Sequence, residues 1–251
     1  MSRGRVKLAI SQGLSVWVME APEGFGDLTF HAHHAIQLTL CFAGQLALES
    51  ETQRLAGAAL AVAPDAPHKL VAQGMIAVVF VEPESVVGRT LCVELLGGAA
   101  LAPIDDRRFL EAAAPLQTVF DASLTPEQML EIAWTAIGVL AAVPRAQAPD
   151  PRVQRIIDYA ADHLDQPLSL AAASAGVFLS ESRLRHLFVE QTGLAFKTYL
   201  LWLRLVRAVE LYSRGRSLTE AAHAAGFADS AHFSRVFKRT FGAPATHLQR
   251  L

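Results

Sequence analysis

The feature that most constrains this chain is a repeat in its second half. Leu184, Leu187 and Phe188 stand at i, i+3 and i+4, and Phe233, Val236 and Phe237 restate that spacing 49 residues later, with Gly193 and Gly242 at the same offset. Upstream, Leu170 matches Leu218 at an offset of 48, so the second turn is one residue longer. Apolar residues three and four apart mark one face of a helix, and a following glycine marks its stop. The pattern predicts a short helix at Leu170–Ala175 before one at Glu181–Gln191, then Leu218–Ala225 before Ser230–Phe241. Two short helices joined by a tight turn form a helix-turn-helix unit. Between the units, Phe196–Arg214 predicts a connecting helix roughly 28 Å long at 1.5 Å per residue. Successive major grooves on one face of DNA lie about 34 Å apart, so such a helix has the length to hold two reading heads. Phe196, Leu200, Leu203, Val206 and Leu211 form its expected apolar stripe. Arg204, Arg207 and Arg214 are left for the surface or for phosphates.

The outer faces of the second helices carry the chemistry that reads base edges and grips phosphates. Ser182, Arg183, Arg185, His186 and Val189 face outward in the first unit. Ser230, Ala231, His232, Ser234, Arg235, Lys238 and Arg239 face outward in the second, with Phe233, Val236, Phe237 and Phe241 inward. Each helix alone would read as an ordinary bundle helix. The repeat, the tight turns and the basic outer faces together favour two DNA-reading heads.

Charge divides along the chain. Pro144, Pro149 and Pro151 mark a linker over residues 144–151. Up to Asp150 the chain has 9 Lys and Arg against 16 Asp and Glu, and from Pro151 it has 13 against 8. The total of -2 therefore hides an acidic half and a basic half. The basic half suits a polyanion, although a solvated charged face gives the same count. The expected domains are residues 1–148 and 149–251.

The first half opens with short β-branched and aromatic runs broken by glycine, proline and acidic residues. Val6–Ile10, Ser15–Met19, Leu28–His33, Gln37–Cys41, Gln45–Glu49, Ala58–Ala63, His68–Val71 and Met75–Val81 are the expected strands, spaced as in an antiparallel sandwich or small barrel. Arg107–Ala114 then reads as helix. A longer helix starts after Thr125, a suitable N-cap, with Pro126 and Glu127 in its first turn, and runs to about Val143. It either covers an open face of the barrel or pairs with its twin in a dimer. Met1–Ile10 is basic without a following apolar segment, and Ile132–Val143 is too short to span a bilayer, so a cytoplasmic protein is expected. Cys41 and Cys92 give neither a disulfide framework nor zinc spacing. Cys41 is expected to be a buried, inert thiol.

Residues 151–251 resemble the AraC/XylS family of transcription regulators. The resemblance rests on Ala222 and Gly226-Phe227, then Phe233, Phe237-Lys238, Gly242 and Pro244, a pattern of small-x3-Gly-Phe, Phe-x3-Phe-Lys and Gly-x-Pro. Leu179, Leu184, Phe188 and Gly193 match the family's other reading head. The resemblance implies double-stranded DNA as partner and Ser182, Arg183, Arg185, His186, Ser230, Ala231, His232, Ser234, Arg235 and Lys238 as the DNA-facing positions. It also implies a homodimer, and RNA polymerase as a further partner if the protein activates. Two positions depart from the pattern. Phe178 stands where the first turn usually has glycine, and Thr246-His247-Leu248 replaces a serine and an aromatic.

Many regulators of that family carry an N-terminal cupin-like barrel that senses a small molecule. His31, His33, His34, Gln37 and Gly44 look like the first cupin motif, and Gly57, Pro64 and His68 like a degenerate second one. The implied fold is α+β and multidomain: a cupin-like antiparallel β-barrel with helices on its C-terminal side, then an all-α domain of two helix-turn-helix units joined by a long helix. The implied effector pocket includes Trp17, His31, His33, Gln37 and His68. Metal-binding cupins use two histidines, a glutamate and a later histidine, so His31, His33 and His68 could hold a divalent metal, although no cofactor is expected. Gln37 stands where that site wants a carboxylate, which disfavours a hard cation. The leading expectation is a DNA-binding regulator without catalytic residues. Its alternatives are a metal-dependent cupin enzyme with a DNA-binding tail, and a ligand-independent dimeric regulator.

Overall fold

The computed structural model describes residues 5–26, 29–141 and 149–245. It divides into two units, residues 1–147 with 237–251, and residues 148–236.

The first unit is built on one antiparallel sheet. Its strands are β1 (Arg5–Ser11), β2 (Leu14–Gly26), β3 (Ile36–Glu49), β4 (Arg54–Ala56), β5 (Ala59–Val62), β6 (Lys69–Val81) and β7 (Leu101–Pro103). Their order is β1-β2-β6-β3-β5-β7, with β4 also on β3. Side chains alternate across the pleat, so β3 sends Ile36, Leu38 and Leu40 to one face and Gln37 and Thr39 to the other. The first face joins Val16, Val18, Val79 and Val81 in an apolar core. That core is covered by α2 (Arg107–Ala113) and α3 (Pro126–Leu140), while α1 (Val86–Leu91) runs into a π-turn at Cys92–Leu96. The second face is also buried, but holds Trp17, Gln37, Thr39 and Phe80.

Helix α3 begins as expected. The Thr125 hydroxyl accepts from Gln128 N–H at 3.3 Å and the Gln128 side chain accepts from Thr125 N–H at 2.8 Å, a reciprocal capping box. Met129, Ala133, Ala136 and Ile137 are buried in the sheet's core, so α3 covers that face.

Five strand expectations need correction. Gln37–Cys41 and Gln45–Glu49 belong to the single strand β3, and His68–Val71 and Met75–Val81 fall within or next to the single strand β6. The register shifts between Cys41 and Ala43, and Gly44 then pairs with Gly74. Both glycines have positive φ, 99° and 91°. A Cβ on Gly44 would lie 2.0 Å from the Gln73 carbonyl oxygen, and one on Gly74 would lie 2.1 Å from that of Ala43. These glycines mark a bulge inside two long strands, which bends the sheet without ending it. Leu28–His33 is not a ladder strand: from Thr29 to His33 the described backbone is irregular except for one bridge, His31 to His68.

The second unit is helical: α4 (Pro151–Asp162), α5 (Leu170–Ala173), α6 (Glu181–Thr192), α7 (Phe196–Ser213), α8 (Leu218–Ala224) and α9 (Ser230–Phe241), the last crossing the division at residue 237. Side-chain caps start five of them: Asp150, Ser169, Ser180, Ser217 and Asp229 each accept a backbone N–H of the following first turn. Gly193 and Gly242 follow α6 and α9 with φ of 76° and 69°, and each donates to the carbonyl four residues back. The repeated glycines are thus repeated helix stops. Val153, Ile156, Ile157, Leu184, Leu187 and Phe188 pack with Phe196, Tyr199 and Leu200 in the core of the first repeat.

Of the 144–151 linker, residues 144–148 lie outside the described residues, and Pro151 opens α4. The departure at Thr246-His247-Leu248 also lies outside them.

Candidate functional site

On α6, Ser182, Arg183, Arg185, His186 and Val189 are exposed, while Leu184, Leu187 and Phe188 are buried. On α9, Ala231, Arg235, Lys238 and Arg239 are exposed and Ser230, His232 and Ser234 half-buried, over buried Phe233, Val236 and Phe237. Phe241, expected inward, is only half-buried. Among the described residues, Arg183, Arg235 and Lys238 have no carboxylate partner, so their charges face solvent. Arg185 pairs with Glu181 one turn back on its own helix. The Ser234 hydroxyl donates to the Ser230 carbonyl at 2.8 Å, which engages it on the helix.

The two helices begin differently. In the second unit, Gly226 with φ 81° closes α8, and Phe227 N–H and Gly226 N–H donate back to Ala222 and His223. Phe178 occupies the matching place in the first unit. Helix α5 there stops at Ala173, short of the expected Ala175, and Gly176 takes the left-handed φ of 85° instead. Phe178 is left 99% exposed.

Helix α7 has 18 residues, roughly 27 Å at 1.5 Å per residue. Its buried residues are not the expected stripe alone. Tyr199, Trp202, Leu205, Ala208, Val209 and Tyr212 are buried, while Leu203 and Val206 are only half-buried. Packing on both sides widens the face beyond a single stripe. Its three arginines are engaged rather than idle. Arg204 donates to the carbonyls of Leu164 and Gln166, and Arg207 and Arg214 both pair with Glu210.

In the first unit the structure brings His31, His33 and His68 together, with a ring nitrogen of each within 4.8 Å of the others. Ring centroids are 4.3 Å apart for His31–His68 and 4.9 Å for His33–His68. All three are buried. Burial and the neighbouring rings push His31 down to about 4 and His68 to about 2, and burial lowers His33 as well. The cluster is therefore neutral at pH 7, the form that offers nitrogen lone pairs.

Hydrogen bonds fix two tautomers. His33 Nδ1 lies 2.9 Å from the Ala35 carbonyl and His68 Nδ1 lies 2.9 Å from that of Ala66. A carbonyl only accepts, so each Nδ1 carries the proton and each Nε2 the lone pair. His68 Nε2 is buried without a hydrogen-bond partner among the described residues. The Gln37 amide lies 2.9 Å from both His33 Nε2 and Thr39 Oγ1. In the structure the amide oxygen faces His33 Nε2 and the amide nitrogen donates to Thr39 Oγ1; exchanging the two amide atoms, which fill the same space, lets the nitrogen donate to the neutral ring and the oxygen accept from the threonine hydroxyl. Trp17 packs edge-on against Phe80 at 5.4 Å, and its indole nitrogen is also buried without a partner among the described residues. The donor set fits a nitrogen-preferring divalent cation of the zinc, nickel or copper class. Without a carboxylate it does not fit calcium or magnesium.

Two features went unread in the sequence. His34 is buried with Nε2 3.1 Å from Glu84 and Nδ1 3.4 Å from Asp65. Burial opposes its charge, but hydrogen bonds to Asp65 and Glu84 outweigh that and raise it to about 9. Its carboxylate partners stand 31 and 50 residues away, with no local signal to join them. A cleft of about 780 Å³ also opens at the β3–β6 bulge, lined by Cys41, Gly44, Gln45, Arg54 and Gln73. None of the three clustered histidines lines it. Cys41, expected buried, is only half-buried on that cleft, but desolvation still raises its thiol, consistent with an inert side chain.

Comparison with known proteins bears on the helical part and on the fold. A helix-turn-helix domain family matches residues 156–251. Over 94 residues, the chain is 38% identical to the HTH-type transcriptional activator RhaS of Escherichia fergusonii, covering 37% of this chain and 34% of RhaS. It is 38% identical over 96 residues to the arabinose operon regulatory protein of Escherichia coli, covering 38% of this chain and 33% of that protein. The chain thus spans about a third of the length of these curated relatives. ToxT of Vibrio cholerae O395 shares the α+β architecture along nearly all of both chains, 96% of this one and 99% of that one, with a TM-score of 0.62 and 14% identity. At that identity the likeness is one of fold. No helix among the described residues is long and apolar enough to cross a membrane. The repeated helix pairs, their basic outer faces and the matched relatives agree that residues 156–251 are a helix-turn-helix DNA-binding domain of the AraC family.

Proposed function

We propose that the chain is a sequence-specific, DNA-binding transcription regulator that acts as a homodimer, with a small-molecule effector bound in its N-terminal barrel. The observation that carries the DNA-reading part is the pairing of α6 and α9. Each turns outward, over a buried apolar face, an arginine with no carboxylate partner among the described residues, and one 18-residue helix spans the sequence between them. Phosphate contacts from Lys238 and Arg239 position the domain, while Arg183 and Arg235 are placed to read bases. Because the two heads differ in sequence, one subunit's site need not be palindromic. The relatives are transcription regulators, which supports this reading over an enzyme.

The effector part rests on the buried face of the sheet, where His31, His33, Gln37, His68 and Trp17 bring polar atoms into an otherwise apolar interior. A ligand there alters transcription only by favouring one domain arrangement over another. The lone pair of His68 Nε2, buried and unmatched among the described residues, favours a second reading in which the effector is itself a metal ion held by His31, His33 and His68. The test is selection of duplex DNA from a random pool by the full-length protein. A regulator enriches one defined sequence, and a protein that enriches none is not a sequence-specific reader.

A further inference from the structure

Three segments of the helical unit meet at one carbonyl oxygen. Arg204, midway along α7, donates from Nε to the Leu164 carbonyl and from Nη2 to the Gln166 carbonyl, each at 3.0 Å. Both carbonyls lie just beyond the end of α4, and Leu164 belongs to the apolar core of the first reading head. Gly226, in the turn of the second head, abuts the same point. A Cβ there would lie 2.1 Å from the Leu164 oxygen and 2.8 Å from Arg204 Nε. The matching residue of the first head, Phe178, stands 99% exposed, so this docking belongs to the second head's turn.

Helix α7 alone joins the heads but does not fix how each is rotated about it. The guanidinium ties the first head to the middle of α7 through two charge-assisted hydrogen bonds. The glycine lets the second head's turn close on the same carbonyl. Among the described residues Arg204 has no carboxylate partner, so these two carbonyls are what it serves.

We propose that Arg204 is a positioning residue that sets the angle between the two heads, and so the separation of the two half-sites the protein accepts. The proposal rests on the DNA-reading function given above. Two heads held rigidly bind one duplex with a high effective concentration for the second contact, and a loose joint lowers it.

The test compares wild-type, Arg204→Lys and Arg204→Ala full-length protein on three duplexes. These are the site selected by the wild-type protein, the same site with one half scrambled, and the same site with one base pair inserted between halves. Arg204→Ala should bind the full site roughly tenfold more weakly, since preorganisation is lost, yet bind the half-scrambled duplex as the wild type does. Its penalty for the inserted base pair should shrink, and Arg204→Lys should fall between. Gly226→Ala, which disturbs the joint from the other side, should relax the same spacing preference. Equal losses on full and half-scrambled DNA would mean a damaged fold and overturn the proposal, as would an unchanged spacing penalty. A wild-type protein that selects no duplex overturns the DNA-reading function itself, and the spacing role with it. A two-part site bound equally by Arg204→Ala overturns the spacing role alone.

Discussion

His31 and His68 face each other across an isolated two-residue bridge, each donating its backbone N–H to the other's carbonyl, at 3.0 and 2.9 Å. The bridge holds their rings 4.3 Å apart although no regular ladder runs through His31. The cluster is therefore set by the backbone, which holds the rings in place as a binding site requires.

Its burial has a consequence in acid. The unfolded chain takes up protons near the ordinary 6.5, whereas the folded cluster refuses them down to about 4 at His31 and about 2 at His68. The stabilisation is complete above 6.5 and lost as pH falls through that window, by up to about 1.4 kcal/mol per pH unit per histidine. Thermal unfolding midpoints should drop between pH 6.5 and 4, and less so in His68→Ala. An identical acid limb in that variant contradicts the assignment.

His34 acts in the opposite sense. Its pKa is raised to about 9 by Asp65 and Glu84, so its contribution is complete below 6.5 and lost as pH rises through 9. His34→Gln should flatten the alkaline limb of the same curve while leaving the acid limb in place.

Metal binding can be read directly. Wild-type protein dialysed against zinc or nickel should retain about one equivalent if His31, His33 and His68 act together as ligands. His68→Ala should retain far less. Equal retention by both proteins places the metal elsewhere, and none in either leaves an organic effector.

The bulge glycines give a stability test. Gly44→Ala forces a Cβ toward the Gln73 carbonyl at a positive φ, which should cost about 2–3 kcal/mol. Gly57→Ala, where a Cβ meets only ordinary contacts at 3.5 Å or more, should cost far less. Chemical denaturation distinguishes them.

What the sequence made legible follows from the range of each signal. The repeat at Leu184 and Phe233 located α6, α9 and their outer faces because helical periodicity is local. The Thr125 cap located α3 for the same reason. The sheet was harder. Gly44 and Gly74 read as turn residues, but the close approach that requires them involves a strand about thirty residues away. His31, His33 and His68 were recognisable from motif spacing, whereas the His34–Glu84 pair, 50 residues apart, leaves no local trace. The engaged arginines of α7 were missed because their partners are main-chain carbonyls and a single glutamate, which a charge count does not register.

Joint reading of DNA by α6 and α9 is open to one measurement above others, a salt titration of binding to the selected duplex. Log affinity should fall linearly with log salt, as phosphate neutralisation requires. Arg183→Ala and Arg235→Ala should each weaken specific binding by about 1–3 kcal/mol and relax base preference at different positions of the site. Unchanged affinity and base preference in the double variant would contradict it.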